Sequence, residues 1–356
     1  MPEVQYITTK EAAKKWGITQ RRVLALCEED RIPGLARLGN MWIIPSHTPK
    51  PADGRSLRYT SGHTAEIHPF VKWAGGKGGT LPELRKAYPP QLGRSIKKYA
   101  EPFVGGGAVL FDVLSRYELS EVFICDSNPQ LMNAYRCIRD HADALIHRLK
   151  KLEKSYLSLS SQDRKAFYYE KRERFNGLSR PATIEAAALF VFLNRTCFNG
   201  LYRVNGKGRF NVPMGAYKNP TICDAKNLYR LSDALQGVTL CCGDYRQAEQ
   251  FIDEKTFVYF DPPYRPLSTT SSFTSYTQGG FDDEAQRQLA EFFRRMDQKG
   301  AALALSNSDP KNSDEHDSFF DELYSGYNIT RIQAARSINS KSAGRGKISE
   351  LLITNY

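Results

Sequence analysis

The sequence predicts an α/β fold: an open, mostly parallel sheet that carries an inserted helical and hairpin segment and is preceded by a small helix–turn–helix unit. Three observations support this. Tyr99-Ala-Glu-Pro-Phe-Val-Gly-Gly-Gly-Ala-Val-Leu-Phe111 is an extended stretch that passes through three glycines into a helix-compatible apolar segment. Glu121-Val-Phe-Ile-Cys-Asp126 is a strand that ends in an acid, about twenty residues beyond the glycines. Thr256-Phe-Val-Tyr-Phe260 is an apolar run of the kind found in sheets covered on both faces, and it stops at Asp261-Pro262-Pro263-Tyr264.

Composition bounds what such a fold does. A chain of 356 residues is too long for one ordinary core and predicts two or three domains. A hydrophobic share of 41% excludes global disorder. No apolar run reaches the ~20 residues that span a bilayer. The start lacks a basic region followed by an apolar stretch, so no membrane partner and a cytoplasmic location are expected. Seven cysteines without a Cys-x-x-Cys pair and six scattered histidines predict reduced thiols and no metal. Lys and Arg number 50 against 39 acidic residues, a net charge of +11, which points to a polyanion, and nucleic acid is the commonest.

Residues 1–48 read as a separate unit. Thr8-Thr9-Lys10-Glu11 has the spacing of a capping box, in which each side chain satisfies a free backbone donor at a helix start. Ala12, Ala13 and Trp16 follow at helical spacing, and Gly17 supplies the stop. Thr19 caps a second helix with Val23 and Leu26 on one face and Gln20, Arg21 and Arg22 at its exposed start. Leu35 to Ile44 predicts a hairpin turning at Gly39-Asn40. Helix, turn, helix and two-stranded wing resemble the winged helix–turn–helix of excisionase and MerR-type DNA binders, in which the second helix enters the major groove. Residues 49–66, rich in Pro, Gly, Ser and Arg without an apolar period, are expected to be a linker.

Phe70-Val-Lys-Trp-Ala-Gly-Gly-Lys77 invites comparison with a phosphate-binding loop. That motif needs Ser or Thr directly after its lysine, and here Gly78 follows Lys77, so a nucleoside triphosphatase is unsupported. The segment instead predicts a close-approach turn that holds Trp73 and Lys77 over a ligand. The Gly105–Gly107 turn suits a ligand at backbone N–H groups before a helix, and Asp126 suits a ribose diol. Leu110 stands where a dinucleotide motif needs its last glycine, which disfavours NAD. Together these features indicate an adenosine-containing cofactor.

The Asp261-Pro-Pro-Tyr264 strand end, with Phe70 to Lys77 and Glu101-Pro-Phe-Val-Gly-Gly-Gly-Ala108 before it, resembles the Dam-type (D12 class) DNA adenine N6-methyltransferases over residues 68–356, in family order. The resemblance implies a Rossmann-like, S-adenosylmethionine-dependent methyltransferase sheet at 67–130 and 223–356, with a target-recognition domain at 131–222. It implies a catalytic group of Asp261, Pro262, Pro263 and Tyr264. The cofactor site would comprise Trp73, Ala74, Gly75, Lys77, Glu101, Pro102, Phe103, Gly105, Gly107, Asp126, Asp244, Tyr245 and Asp261. The chemistry suits these residue types. The amine of adenine is a poor nucleophile because its lone pair is delocalised into the ring. A carboxylate and a fixed carbonyl, each accepting one N–H, favour a lone pair directed at a methyl donor, which is preorganised electrostatic catalysis. Tyr264 can stack on a base lifted from the duplex. Cytosine-N4 enzymes of similar build carry Ser at the first position, and protein-amide enzymes carry Asn, so Asp261 favours adenine.

Within 131–222, Lys-, Arg- and Tyr-rich helical sequence precedes a hairpin with the dipeptide Asn205-Gly206 at its turn. From Asn194 to Cys223 there are five Lys or Arg and no Asp or Glu, with interleaved aromatics, the mixture that phosphate contact and base wedging need. The resemblance assigns DNA contact to Lys72, Arg195, Phe198, Asn199, Leu201, Arg203, Pro213 and Tyr217. Arg203 would contact guanine, Phe198 would fill the space of the flipped adenine, and GATC would be the site. Downstream, Arg265 to Phe281 reads as a mobile loop over the flipped base, and the acid-free stretch Arg336 to Lys347 as a DNA-backbone loop. The expected partner is duplex DNA, engaged by a monomer. The competing readings are a catalytically silent DNA-binding regulator and an RNA or protein methyltransferase.

Overall fold

The computed structural model describes residues 5–16, 19–28, 32, 34–39, 41–46, 48, 67–179, 182–265, 281–335 and 347–356. The segments read above as the linker 49–66, most of the loop over the flipped base (266–280) and most of the basic loop (336–346) lie outside the described residues. The chain divides into two compact units, Met1–Ser56 and Leu57–Tyr356.

In the first unit, helices α1 (Thr9–Trp16) and α2 (Gln20–Glu28) pack with strands β1 (Tyr6–Thr8), β2 (Ala36–Leu38) and β3 (Met41–Pro45). The capping box forms: the Thr8 N–H donates to Glu11 Oε2 at 2.8 Å, and the Glu11 N–H donates back to Thr8 Oγ1 at 3.3 Å. Ala12, Ala13, Trp16, Val23, Leu26, Cys27, Ile32 and Ile44 make the small core. β2 and β3 pair antiparallel with Leu38 opposite Met41, as the hairpin reading expects. The sequence reading missed β1, which adds antiparallel to β3 as a third strand. Three residues are too few to show a two-residue period.

The second unit is a seven-stranded sheet in the order β6-β5-β4-β7-β8-β10-β9. Its strands are β4 (Lys98–Glu101), β5 (Glu121–Asp126), β6 (Thr239–Cys242), β7 (Thr256–Phe260), β8 (Ala302–Ser308), β9 (Asn328–Ala335) and β10 (Lys347–Thr354). β6, β5, β4, β7 and β8 are parallel, while β10 lies antiparallel between β8 and β9. Alternate residues supply two cores. Tyr99, Val122, Ile124, Phe257 and Tyr259 face one, and Ala100, Phe123, Cys125, Val258 and Phe260 the other. Both faces are therefore covered, which is why these strands read as unbroken apolar runs.

After α3 (Leu81–Lys86), helix α4 (Ala108–Arg116) joins β4 to β5, and α9 (Asp283–Gln298) joins β7 to β8, with α10 (Phe319–Leu323) before β9. The β5-to-β6 connection is the insertion: α5 (Pro129–Leu157), α6 (Ser161–Asn176), α7 (Ile184–Thr196), an irregular hairpin, and α8 (Ala225–Ala234). Asn128 caps α5, accepting from Gln130 N and Leu131 N. α5 runs on through residue 131 and has one non-helical residue, His141 at φ −138°, so the insertion grows out of a crossover helix with no break at 131. Because the neighbours of β4 are β5 and β7, the strand order reverses there. That opens a crevice at the carboxyl ends of β4 and β7.

Candidate active site at the carboxyl edge of the sheet

Four strands end at this edge in or just before an acid: β4 in Glu101, β5 in Asp126, β6 shortly before Asp244, and β7 immediately before Asp261. Glu101 is 2% exposed and accepts from the Tyr99 hydroxyl at 2.7 Å; burial pushes its carboxyl well up, toward the neutral form. Asp126 accepts the Gly105 N–H at 3.0 Å and the Asn128 N–H at 2.8 Å, one on each oxygen. Burial still lifts its carboxyl above the ordinary value. Asp244 is exposed, and its Oδ1 accepts from Arg246 N at 2.9 Å.

The three glycines have steric causes. Gly105 and Gly107 have φ of +48° and +76°, where side chains are strained. A Cβ on Gly105 would lie 2.9 Å from Trp73 Cδ1, and one on Gly107 would lie 2.5 Å from Tyr135 Oη. The loop's donors correct the sequence reading. Gly105 N bonds to Asp126 and Gly107 N bonds to Val104 O at 2.8 Å, so these two N–H groups are satisfied within the protein and not presented to a ligand.

At the end of β7, Asp261 meets Lys77, whose ammonium sits 2.6 Å from Oδ1 and 2.7 Å from Oδ2. Burial, the largest single influence, would lower the lysine's pKa, but the charges of Asp261, Tyr259 and Glu350 and the hydrogen bond to Asp261 together hold the group up at about 12. Burial likewise raises the Asp261 carboxyl against the pull of Lys77. Gln286 donates to the Pro263 carbonyl at 3.2 Å and accepts from Asn307 at 3.1 Å. The Tyr264 hydroxyl donates to Glu350 Oε2 of β10 at 3.1 Å. Arg265 anchors the following residue position through Asp283 and Asp317.

The structure brings the segment Phe70–Lys77 against the insertion. Asn194, 2% exposed at the end of α7, accepts from Lys72 N at 2.8 Å and donates to Lys72 O at 2.8 Å and Gly200 O at 2.9 Å. Trp73 stacks on Tyr202 with ring centroids 5.9 Å apart. Ala74 and Gly75 form the turn that follows, with Gly75 at φ +74°. Phe103, after Pro102, stacks on Tyr245 at 5.2 Å.

The residues expected at DNA divide into two groups. Phe198 is 52% exposed beside Asn199, which holds φ at +53°. The Lys72 ammonium lies 4.0 Å over the Tyr217 ring. Arg203 donates from Nε to Asn211 Oδ1 at 2.8 Å, and Leu201 and Pro213 flank the same hairpin. Arg195 behaves differently: its Nε donates to Phe70 O at 3.1 Å, so its guanidinium braces the Phe70 segment from within. The hairpin turn is also longer than expected. Asn205 O accepts Gly208 N at 2.8 Å, and it is Gly208, at φ +71°, that takes a left-handed conformation there. Asn194, Tyr202, Gln286, Asn307 and Glu350 were not singled out in the sequence. A polar residue closing the apolar run Ala186–Leu193 was the available signal for Asn194.

A family model for the D12 class of N6 adenine-specific DNA methyltransferases matches residues 73–338. The chain belongs to that family. This adenine-specific DNA methyltransferase is 49% identical over 294 residues to the type II methyltransferase M.MjaIII of Methanocaldococcus jannaschii, a match covering 82% of this chain and 100% of the relative. It is 38% identical over 297 residues to the type II methyltransferase M1.LlaDCHI of Lactococcus lactis, covering 82% and 96%. It is 32% identical over 284 residues to the DNA adenine methylase of Escherichia coli, covering 80% and 93%. The methyltransferase is thus an enzyme whose target is N6 of adenine in DNA. Among its described residues no helix is long and apolar enough to cross a membrane, and no cluster of His, Cys, Asp or Glu suits a metal ion.

Proposed function

We propose that the enzyme uses S-adenosylmethionine to methylate a flipped-out adenine in duplex DNA, at GATC. The observation that carries this reading is the placement of Asp261 and Pro262 at the end of β7, beside the point where the strand order reverses. The cofactor, when bound, supplies an electrophilic methyl group. The donor set fits it. Asp126 has one acceptor position per oxygen taken by a backbone N–H and keeps a lone pair on each for a ribose diol. Trp73, Ala74, Gly75, Gly105 and Gly107, with Glu101, Pro102, Phe103, Asp244 and Tyr245, would hold it.

The Asp261 carboxylate and the Pro262 carbonyl would each accept one N–H of the target amine, favouring the lone pair that attacks. Proline offers its carbonyl without a competing N–H. Tyr264 would stack on the extruded base, held by Glu350. The hairpin carrying Phe198, Arg203 and Pro213, together with Lys72 and Tyr217, would read the duplex, and one subunit suffices for one flipped base. Methylation rates on GATC duplexes, single-base variants, RNA and a peptide test this reading. Equal rates on every duplex would refute the site assignment, and a preference for RNA or peptide would refute the substrate.

The amino-terminal unit is read as a winged helix–turn–helix that adds a second DNA contact. It lies outside the family match, and its wing tip exposes Leu38 and Met41 beside Arg37, a pairing suited to a minor groove. Arg37→Ala and Leu38→Ser should weaken duplex affinity of the full chain while leaving kcat at saturating DNA unchanged. Unchanged affinity in both refutes it.

A further inference from the structure

β7 ends at Phe260, immediately before Asp261, and its ladder to β8 ends there too. The two strands pair in parallel as far as Phe260 opposite Leu305, while β8 runs on to Ser308. The two residues after Asp261 are prolines, which carry no N–H and cannot extend a ladder. Side chains take over. The Ser308 N–H donates to Asn307 Oδ1 at 2.9 Å, Asn307 Nδ2 donates to Gln286 Oε1 of α9 at 3.1 Å, and Gln286 Nε2 donates to the Pro263 carbonyl at 3.2 Å. Gln286 and Asn307 are both 0% exposed. A backbone N–H only donates and a carbonyl only accepts, so the two ends of this chain fix the orientation of both amides. Hydrogen bonds aligned head to tail in this way strengthen one another.

We propose that Gln286 and Asn307 are positioning residues for methyl transfer. Their amide chain replaces the ladder that the two prolines forgo, and it fixes the turn from Asp261 to Tyr264 before the base arrives. This rests on the functional reading above and adds to it the groups that aim the turn. The proline rings set φ at residues 262 and 263, which leaves ψ as the free rotation in each. Rotation about ψ of Pro263 swings the peptide that leads into Tyr264, and a carbonyl held by Gln286 stops that swing. On the far side of Tyr264, the Arg265 N–H reaches Asn307 Oδ1 at 3.5 Å, and the Arg265 carbonyl accepts from Ser308 Oγ at 3.4 Å. Tyr264 is thus held on both sides along the backbone, and Glu350 holds its hydroxyl. Acceptors fixed in advance are what preorganised catalysis needs, and a misplacement of about 1 Å costs about a hundredfold in rate.

Pro263-Tyr264 is the one Pro–Tyr step in the sequence. Full-length protein labelled with carbonyl-13C proline and 15N tyrosine therefore gives a single cross-peak in an NMR spectrum that correlates each amide with the preceding carbonyl. In Gln286→Met, which removes the donor, that carbonyl should move upfield. Its kcat should fall by about tenfold to a hundredfold, with affinities for duplex DNA and S-adenosylmethionine within about threefold of wild type. Gln286→Glu separates the hydrogen bond from the fit, and it carries the test if Gln286→Met does not fold. In its acid form the side chain still donates to Pro263 and accepts from Asn307, and burial favours that form; ionised, it has no donor. At low pH its peak should match wild type at the same pH, with kcat within about threefold, and any departure as pH rises should be toward Gln286→Met. A Pro263 peak unmoved in Gln286→Met overturns the proposal. So does a moved peak with kcat unchanged, or a Gln286→Glu protein that behaves as Gln286→Met at low pH. A wild-type protein that methylates nothing counts against the functional reading alone, since the peak positions decide without turnover whether Gln286 holds Pro263.

Discussion

Replacing Asn194 with alanine should loosen the segment that carries Lys72 and Trp73. The Asn194 side chain makes three hydrogen bonds of 2.8–2.9 Å, two to Lys72 and one to Gly200. At about 1 kcal/mol for each net hydrogen bond, the variant forfeits about 3 kcal/mol, because three backbone groups lose their partner. That corresponds to about a hundredfold increase in local opening. Hydrogen exchange of the Lys72 amide measures it directly, since that N–H donates to Asn194 Oδ1. Protection in Asn194→Ala should fall by about two orders of magnitude, with amides of β7 affected less. A change below about threefold would mean that Lys72 is held by something other than this side chain.

Three further outcomes follow from local geometry. Gly107→Ala places a Cβ 2.5 Å from Tyr135 Oη and 2.8 Å from Phe111 Cε2 at φ +76°; it should lower stability by about 2 kcal/mol or more, and an unchanged urea midpoint contradicts it. In Asp112, burial pushes the carboxyl up, but hydrogen bonds and charge from Arg85 and Arg116 outweigh it and hold it below the ordinary 3.8. A depressed folded-state pKa gives stability that is present above the unfolded value and lost as pH falls through the folded one. Asp112→Asn should therefore destabilise near neutrality, and its gap in urea midpoint should close below about pH 4. Thr8→Ala removes one half of the capping box with Glu11 and should weaken the first turn of α1 by about 1 kcal/mol, read as faster amide exchange there; unchanged exchange contradicts it.

The sheet was legible where the sequence repeats a physical requirement. Strands covered on both faces must be apolar throughout, so β5 and β7 stood out, and their abrupt acidic ends marked the edge where ligands bind. The glycine loop was legible as a loop but not in its mechanism. Its N–H groups turn inward to Asp126 and Val104, and its lack of side chains serves Trp73 and Tyr135. The contacts that hold the site together were not legible. Glu350 reaches Tyr264 from a strand 86 residues away in sequence, and Asn194 reaches Lys72 across 122. Local pattern carries no trace of such pairings. The hairpin shows the same limit at short range: Asn205-Gly206 invites a two-residue turn, yet the Asn205 side chain accepts from Lys207 N and Arg209 N and moves the left-handed position to Gly208.

In the proposed reaction Asp261, at the end of β7, directs methyl transfer to adenine in DNA. The most direct measurement is to express the chain in a host lacking adenine methylation and map N6-methyladenine across its DNA, with Asp261→Ala alongside. The expected result is methylation confined to one motif, GATC, and none in the variant. Methylation that persists in Asp261→Ala, or its absence from soluble wild-type protein, would contradict it.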